Sequence, residues 1–118
     1  MNEIAASLTD DRTTYRVGER VEGRALWVFA TPPEAVEVRL FWRTSGKGDD
    51  ELGVVAVHRI DSPDIAGEEA FALELPTRPW TWHGKLISLD WSLEVVALPT
   101  EEAFRIDLEV LPPPPSGA

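Results

Sequence analysis

A chain of 118 residues with 43% apolar and 27% charged side chains has the composition of one folded domain, long enough for a single hydrophobic core and too short for two. It contains no cysteine, which excludes disulfides, thiolate nucleophiles and cysteine-ligated zinc or iron–sulfur centres. Its 21 acidic and 11 basic residues give a formal charge of −10, which repels phosphate backbones and anionic lipid, so neither nucleic acid nor membrane insertion is expected.

The period of the apolar residues is two, the signature of strands. Ile4 to Leu8 and Thr13 to Val17 are short candidate strands. A longer one follows, with Val21, Gly23, Ala25, Trp27 and Phe29 on one face. After the Thr31-Pro32-Pro33 break, Val36, Val38, Leu40 and Trp42 alternate with Glu37, Arg39, Phe41 and Arg43, as a strand with one buried face does. Glycines and short polar residues at Ser45 to Asp50 predict a hairpin into Leu52 to Ile60.

Beyond the turn-rich Asp61 to Gly67, the segment Ala70 to Leu75 reads as a strand that Pro76 ends. The Pro76 to Gly84 loop precedes the strongest strand, in which Ile87, Leu89, Trp91, Leu93 and Val95 oppose Ser88, Asp90, Ser92 and Glu94. Glu101 to Ala103 has room for one helical turn, and Phe104, Ile106, Leu108 and Val110 form the last strand. A sheet this apolar on one face must cover it. The fold class is therefore an all-β antiparallel β-sandwich of about eight strands over residues 1–111, and the Pro-rich tail at 112–118 is expected to be disordered.

The stretch Tyr15-Arg16-Val17-Gly18-Glu19-Arg20-Val21-Glu22-Gly23 resembles the "Y-x-P-G-E-x-V-x-G" opening of arrestin-fold domains, with Val17 where proline is usual. Downstream, Phe71-Ala72-Leu73-Glu74-Leu75-Pro76, then Pro79, Thr81, Trp82 and Gly84, resembles that family's "F-x-L-P…P-S-[YF]-x-G" block. The resemblance implies an immunoglobulin-like, arrestin-type sandwich similar to the N-terminal lobe of a tandem pair. It further implies a non-enzymatic adaptor or scaffold that docks on protein surfaces, as arrestins, retromer-type Vps26 proteins and bacterial sporulation-control Spo0M proteins are thought to do. The early phosphate-sensing lysines of receptor-binding arrestins have no match, because Asp10-Asp11-Arg12 occupies that neighbourhood and Lys47 and Lys85 are the only lysines.

No catalytic, cofactor-binding or metal-binding residue is assigned. His58 and His83 have no nucleophile beside them, and there is no G-x-S-x-G elbow, P-loop or G-x-G-x-x-G. Asp49-Asp50-Glu51 and the Asp61/Asp64 pair lack EF-hand spacing, and neighbouring acids on a strand point to opposite faces. The expected partner is a protein of unspecified identity, and a second copy of the chain is one candidate. The candidate contact residues are Arg78, Trp80, His83 and Phe41: Trp82 matches the family's aromatic position and is expected to pack over a sandwich end, leaving Trp80 beside Arg78 for contact. Phe41 is out of register with its neighbours and is expected to share an outer patch with Leu26 and Val28. The alternative is a small-ligand domain, for carbohydrate or metal, built on the same loop and its two tryptophans. Met1-Asn2-Glu3 lacks the charged and apolar regions of a signal peptide, so the expected setting is cytoplasmic.

Overall fold

The computed structural model describes residues 2–46 and 50–115. Among them run nine strands: β1 (Glu3–Leu8), β2 (Thr14–Arg16), β3 (Arg20–Val28), β4 (Ala35–Gly46), β5 (Leu52–Asp61), β6 (Ala66–Glu74), β7 (Trp82–His83), β8 (Ile87–Leu98) and β9 (Ala103–Leu111). They form two sheets. The smaller has the order β1-β3-β6 and the larger β2-β9-β8-β4-β5, with β7 added to β8. Every neighbouring pair is antiparallel except β2 and β9, which run parallel. Among the described residues no helix is long and apolar enough to cross a membrane.

Alternation along each strand builds the core. The fully buried Val36, Val38 and Leu40 of β4 and Trp91, Leu93, Val95 and Ala97 of β8 meet Val21, Ala25 and Trp27 of β3 and Phe71 and Leu73 of β6. Each large aliphatic side chain so buried is worth roughly 1.5–3 kcal/mol, and these close-packed rows are what hold the layers together. The free edges β5 and β6 flank one side of the sandwich, where His58 Nε2 lies 2.5 Å from Glu69 Oε2 across the gap.

Three elements differ from expectation. β6 begins at Ala66 rather than Ala70, because Glu68 and Glu69 pair with Leu26 and Ala25 and an acidic dipeptide hides the strand in the sequence. Trp82–His83 is a short strand rather than loop, since it adds to the end of β8. Glu101 to Ala103 is not helical: Glu101 takes a positive φ of 65°, its N–H bonds to the Ala97 carbonyl at 2.7 Å, and Ala103 opens β9. β4 and β5 pair antiparallel as expected, and the turn residues 47–49 between them lie outside the described set. The Pro-rich tail expected to be disordered lies partly outside it as well, at residues 116–118.

The segment from Tyr15 to Glu19 turns the chain and anchors the next loop. Tyr15 is buried, its Oη donates to the Arg12 carbonyl at 2.9 Å, and the Arg12 guanidinium lies 4.4 Å from the ring centroid. Gly18 takes φ +82°, which a side chain would strain. The Glu19 carboxylate accepts the Arg16 N–H at 2.5 Å and an Arg12 N–H at 2.6 Å, which closes the turn. The Gly18 N–H then donates to the Pro76 carbonyl at 3.1 Å and the Leu75 N–H to the Glu19 carbonyl at 2.8 Å. This turn therefore fixes where the Pro76 to Thr81 loop begins.

Candidate functional site

The strands of the two sheets differ in length, and that difference makes the site. β4 and β8 have twelve residues each, whereas β3 and β6 have nine. Three residues at roughly 3.3 Å each leave about 10 Å of the larger sheet's inner face without a covering strand. Along β8 the inward series passes from fully buried Trp91 through half-buried Leu89 to Ile87, which is 46% exposed. Leu89 pairs with Thr44 and Ile87 with Gly46, so the same overhang continues on β4.

The loop from Pro76 walls this overhang. It crosses from the smaller sheet to the larger and lands as β7, with Trp82 opposite Leu89 and His83 opposite Ser88. Thr81 holds it to β9: its N–H donates to the Val110 carbonyl at 2.8 Å and its hydroxyl accepts the Val110 N–H at 2.9 Å. Arg78, Pro79, Trp80, Trp82, Ile87 and Leu89, with Thr44 and Ser88, line a hollow of about 420 Å³. Its lining is apolar apart from two hydroxyls and the guanidinium of Arg78, which forms no ion pair among the described residues.

The candidate contact residues divide between two faces. Arg78 and Trp80 lie in the hollow, but the roles of the two tryptophans are reversed. Trp80 is half-buried and packs against the core, while Trp82 is 57% exposed. The reason is geometric: Trp82 enters the larger sheet beyond the reach of the smaller one, so among the described residues no strand of the smaller sheet covers its indole. His83, the next residue on a strand, points to the other face, where its Nε2 lies 2.9 Å from Asp90 Oδ1. Phe41 also lies on that outer face, in a depression with Arg43, Asp90, Ser92, Arg105 and Asp107. It forms no patch with Leu26 and Val28. Those residues face outward from the smaller sheet, so the whole thickness of the sandwich separates them from Phe41.

Around Phe41 the outer face is polar. Glu37 accepts hydrogen bonds from Arg39 Nε at 2.9 Å and Arg59 Nη1 at 2.5 Å, and Arg59 also bonds Asp61 at 2.7 Å. Burial alone would raise the Glu37 carboxyl, but the hydrogen bonds from Arg39 and Arg59, together with their charges, outweigh it and hold the group below the usual glutamate range. Ser92 donates to Asp107 at 3.2 Å. Neither histidine meets a serine hydroxyl among the described residues; their partners are Glu69 and Asp90. Asp61 is engaged by Arg59, and the Asp49-Asp50-Glu51 run lies partly outside the described residues.

Sequence periodicity did find Ile87 and Leu89, as members of an inward row. It did not show that this row outruns its cover, because alternation within one strand does not tell how far the strands of the facing sheet extend.

No family model matches the chain, and no curated protein matches it. Among solved structures, it is similar to the crystal structure of Spo0M, the sporulation control protein of Bacillus subtilis, with a TM-score of 0.66 and 16% sequence identity. The match covers 93% of this chain and 49% of Spo0M, so the chain spans about half the length of that protein. At this identity the likeness concerns the fold. The chain is an all-β sandwich of arrestin-like fold.

Proposed function

We propose that the chain is a non-enzymatic, cytoplasmic protein-interaction module that docks a partner protein through the hollow at the end of the larger sheet. The observation that carries this reading is the overhang itself: Trp82, Ile87 and Leu89 belong to a core-facing row that no strand among the described residues covers. An exposed tryptophan beside apolar residues and an arginine that forms no ion pair among the described residues has the composition of an interface anchor. Covering that row with a partner removes apolar surface from water, which is the main driving force for association.

The small-ligand alternative uses the same two indoles. Sugar recognition needs several polar groups converging on hydroxyls, and this lining offers Arg78, Thr44 and Ser88 only. The docking reading is therefore preferred. A pull-down from native cell extract with the wild-type chain and with Trp82→Ala tests it. A protein retained by the first and lost by the second is the expected result, whereas a tryptophan-fluorescence response to oligosaccharides with an empty pull-down would replace docking by the alternative.

A further inference from the structure

Resting on the reading of the hollow as a docking surface, we infer that it accepts a polyproline-II segment, and that the segment is the Pro112–Pro115 tail of a second copy of the chain. The first ground is chemical. A polyproline-II helix has no internal hydrogen bonds and presents flat pyrrolidine rings on a preformed rod, and proteins read it with apolar grooves walled by aromatic rings. Trp80 and Trp82, two residues apart with Pro79 beside them, supply those walls, and Ile87 and Leu89 form the floor.

The second ground is where the tail starts. Val110 is held through both its N–H and its carbonyl by Thr81, the residue between the two tryptophans. Pro112 follows two residues later, and Pro112 to Pro115 are exposed. Each copy thus carries hollow and tail at one end of its sandwich. A two-fold axis at that end lays each tail across the other copy's tryptophans in two identical contacts, the arrangement expected of a self-complementary interface.

A third ground separates the second copy from the tail's own chain. At Leu111 the chain turns away from β7: the Leu111 carbonyl accepts the Val17 N–H at 3.1 Å, and the Pro112 carbonyl accepts Arg16 Nη1 at 2.8 Å. Both bonds pull the tail to the β2 edge of β9, opposite the edge that Thr81 occupies. Four prolines at 3.1 Å each make a rod of about 12 Å that does not double back. Charge agrees as well. Residues Leu111 to Pro115 carry no acid, so the segment adds no repulsion of its own at the contact, and the ionisable group among the described residues lining the hollow is Arg78.

The test is sedimentation of the full chain from about 1 μM to about 1 mM, a range that spans the weak-to-moderate affinities of small peptide grooves. The wild type should pass from one to two chain masses. Trp82→Ala and the double variant Pro113→Gly/Pro114→Gly should each weaken the dimer by about tenfold or more. Because the first keeps its tail and the second keeps its hollow, an equimolar mixture should recover part of the association through the one intact contact. The tail variant leaves every buried residue untouched, so misfolding of Trp82→Ala cannot imitate the pattern.

A wild type that stays monomeric throughout, or a dimer indifferent to both variants, overturns the inference. So does a monomer whose tryptophan fluorescence responds to a synthetic Leu111–Pro115 peptide, since the hollow would then read prolines from another source. A protein captured in a Trp82-dependent way from extract, with no response to the peptide, sinks this inference while leaving the docking reading intact.

Discussion

The indole of Trp27 lies against the bare Cα of Gly67, its pairing neighbour on β6, so closely that a β-carbon at Gly67 would come within 2.5 Å of Trp27 Cζ2. The same relationship recurs in the other sheet, where the Trp42 ring covers Gly53. Trp27 is the more constrained of the two, being buried and donating its Nε1–H to the Asp64 carbonyl at 3.0 Å. Gly67→Ala should therefore cost about 1–3 kcal/mol through overpacking, read as a lower midpoint in urea with an unchanged slope. A loss of less than a few tenths of a kcal/mol would mean that the indole can slide aside.

Acid should weaken the fold through Glu37 and Glu19. Hydrogen bonds and positive charge hold the Glu37 carboxyl low against its burial, and the Arg16 backbone N–H, then Arg12, hold Glu19 low. A carboxyl whose folded value is depressed contributes stability that is present above its unfolded value near 4.5 and is lost as pH falls through the folded value. Glu37→Gln should lower stability by about 1 kcal/mol at neutral pH, and by progressively less below pH ~4. Thermal melts of wild type and variant between pH 7 and 3 check this: the two curves should converge in acid.

Tyr15 should act at the other end of the scale. Burial pushes its hydroxyl above 10, Arg12 opposes this, and Glu19 and Glu22 add to it. For a raised value, stability is fully present below the unfolded value and is lost as pH rises through the folded one. Tyr15→Phe removes the bond to the Arg12 carbonyl and should cost about 1 kcal/mol at neutral pH. The variant should also lose less stability than the wild type between neutral pH and strongly alkaline solution, as followed by near-ultraviolet circular dichroism.

The five tryptophans should separate by solvent access. Trp91 and Trp27 are buried, Trp42 and Trp80 half-buried, and Trp82 open to water. Most acrylamide-quenchable emission should belong to Trp82, so Trp82→Phe should reduce the quenchable fraction while Trp91→Phe leaves it nearly unchanged. Trp80→Phe reducing it more than Trp82→Phe would contradict the placement of the two indoles.

Much of the fold was legible in the residues. The rows Val36-Val38-Leu40 and Trp91-Leu93-Val95 announce their faces by strict alternation, which backbone pleating imposes whatever the tertiary context. Alternation names a face but not a layer. Phe41, Leu26 and Val28 all read correctly as outward, yet they belong to opposite outsides of the sandwich, and only the order of strands in each sheet shows it. The tryptophan assignment failed for a related reason. Exposure of Trp82 depends on how far β7 and β8 run past the Arg20–Glu74 end of the smaller sheet, a relation between sheets that local sequence does not display.

The three-residue mismatch between β3 and β8 makes thermal stability a gauge of occupancy. Whatever covers Ile87, Leu89 and Trp82 binds the folded chain alone, since the row is assembled only when β4, β7 and β8 are in place. Mass action then adds about 2.7 kcal/mol at a hundredfold excess over the dissociation constant. The melting point of the chain thus rises with any true occupant of the overhang, and a search for partners can be run as a search for heat resistance.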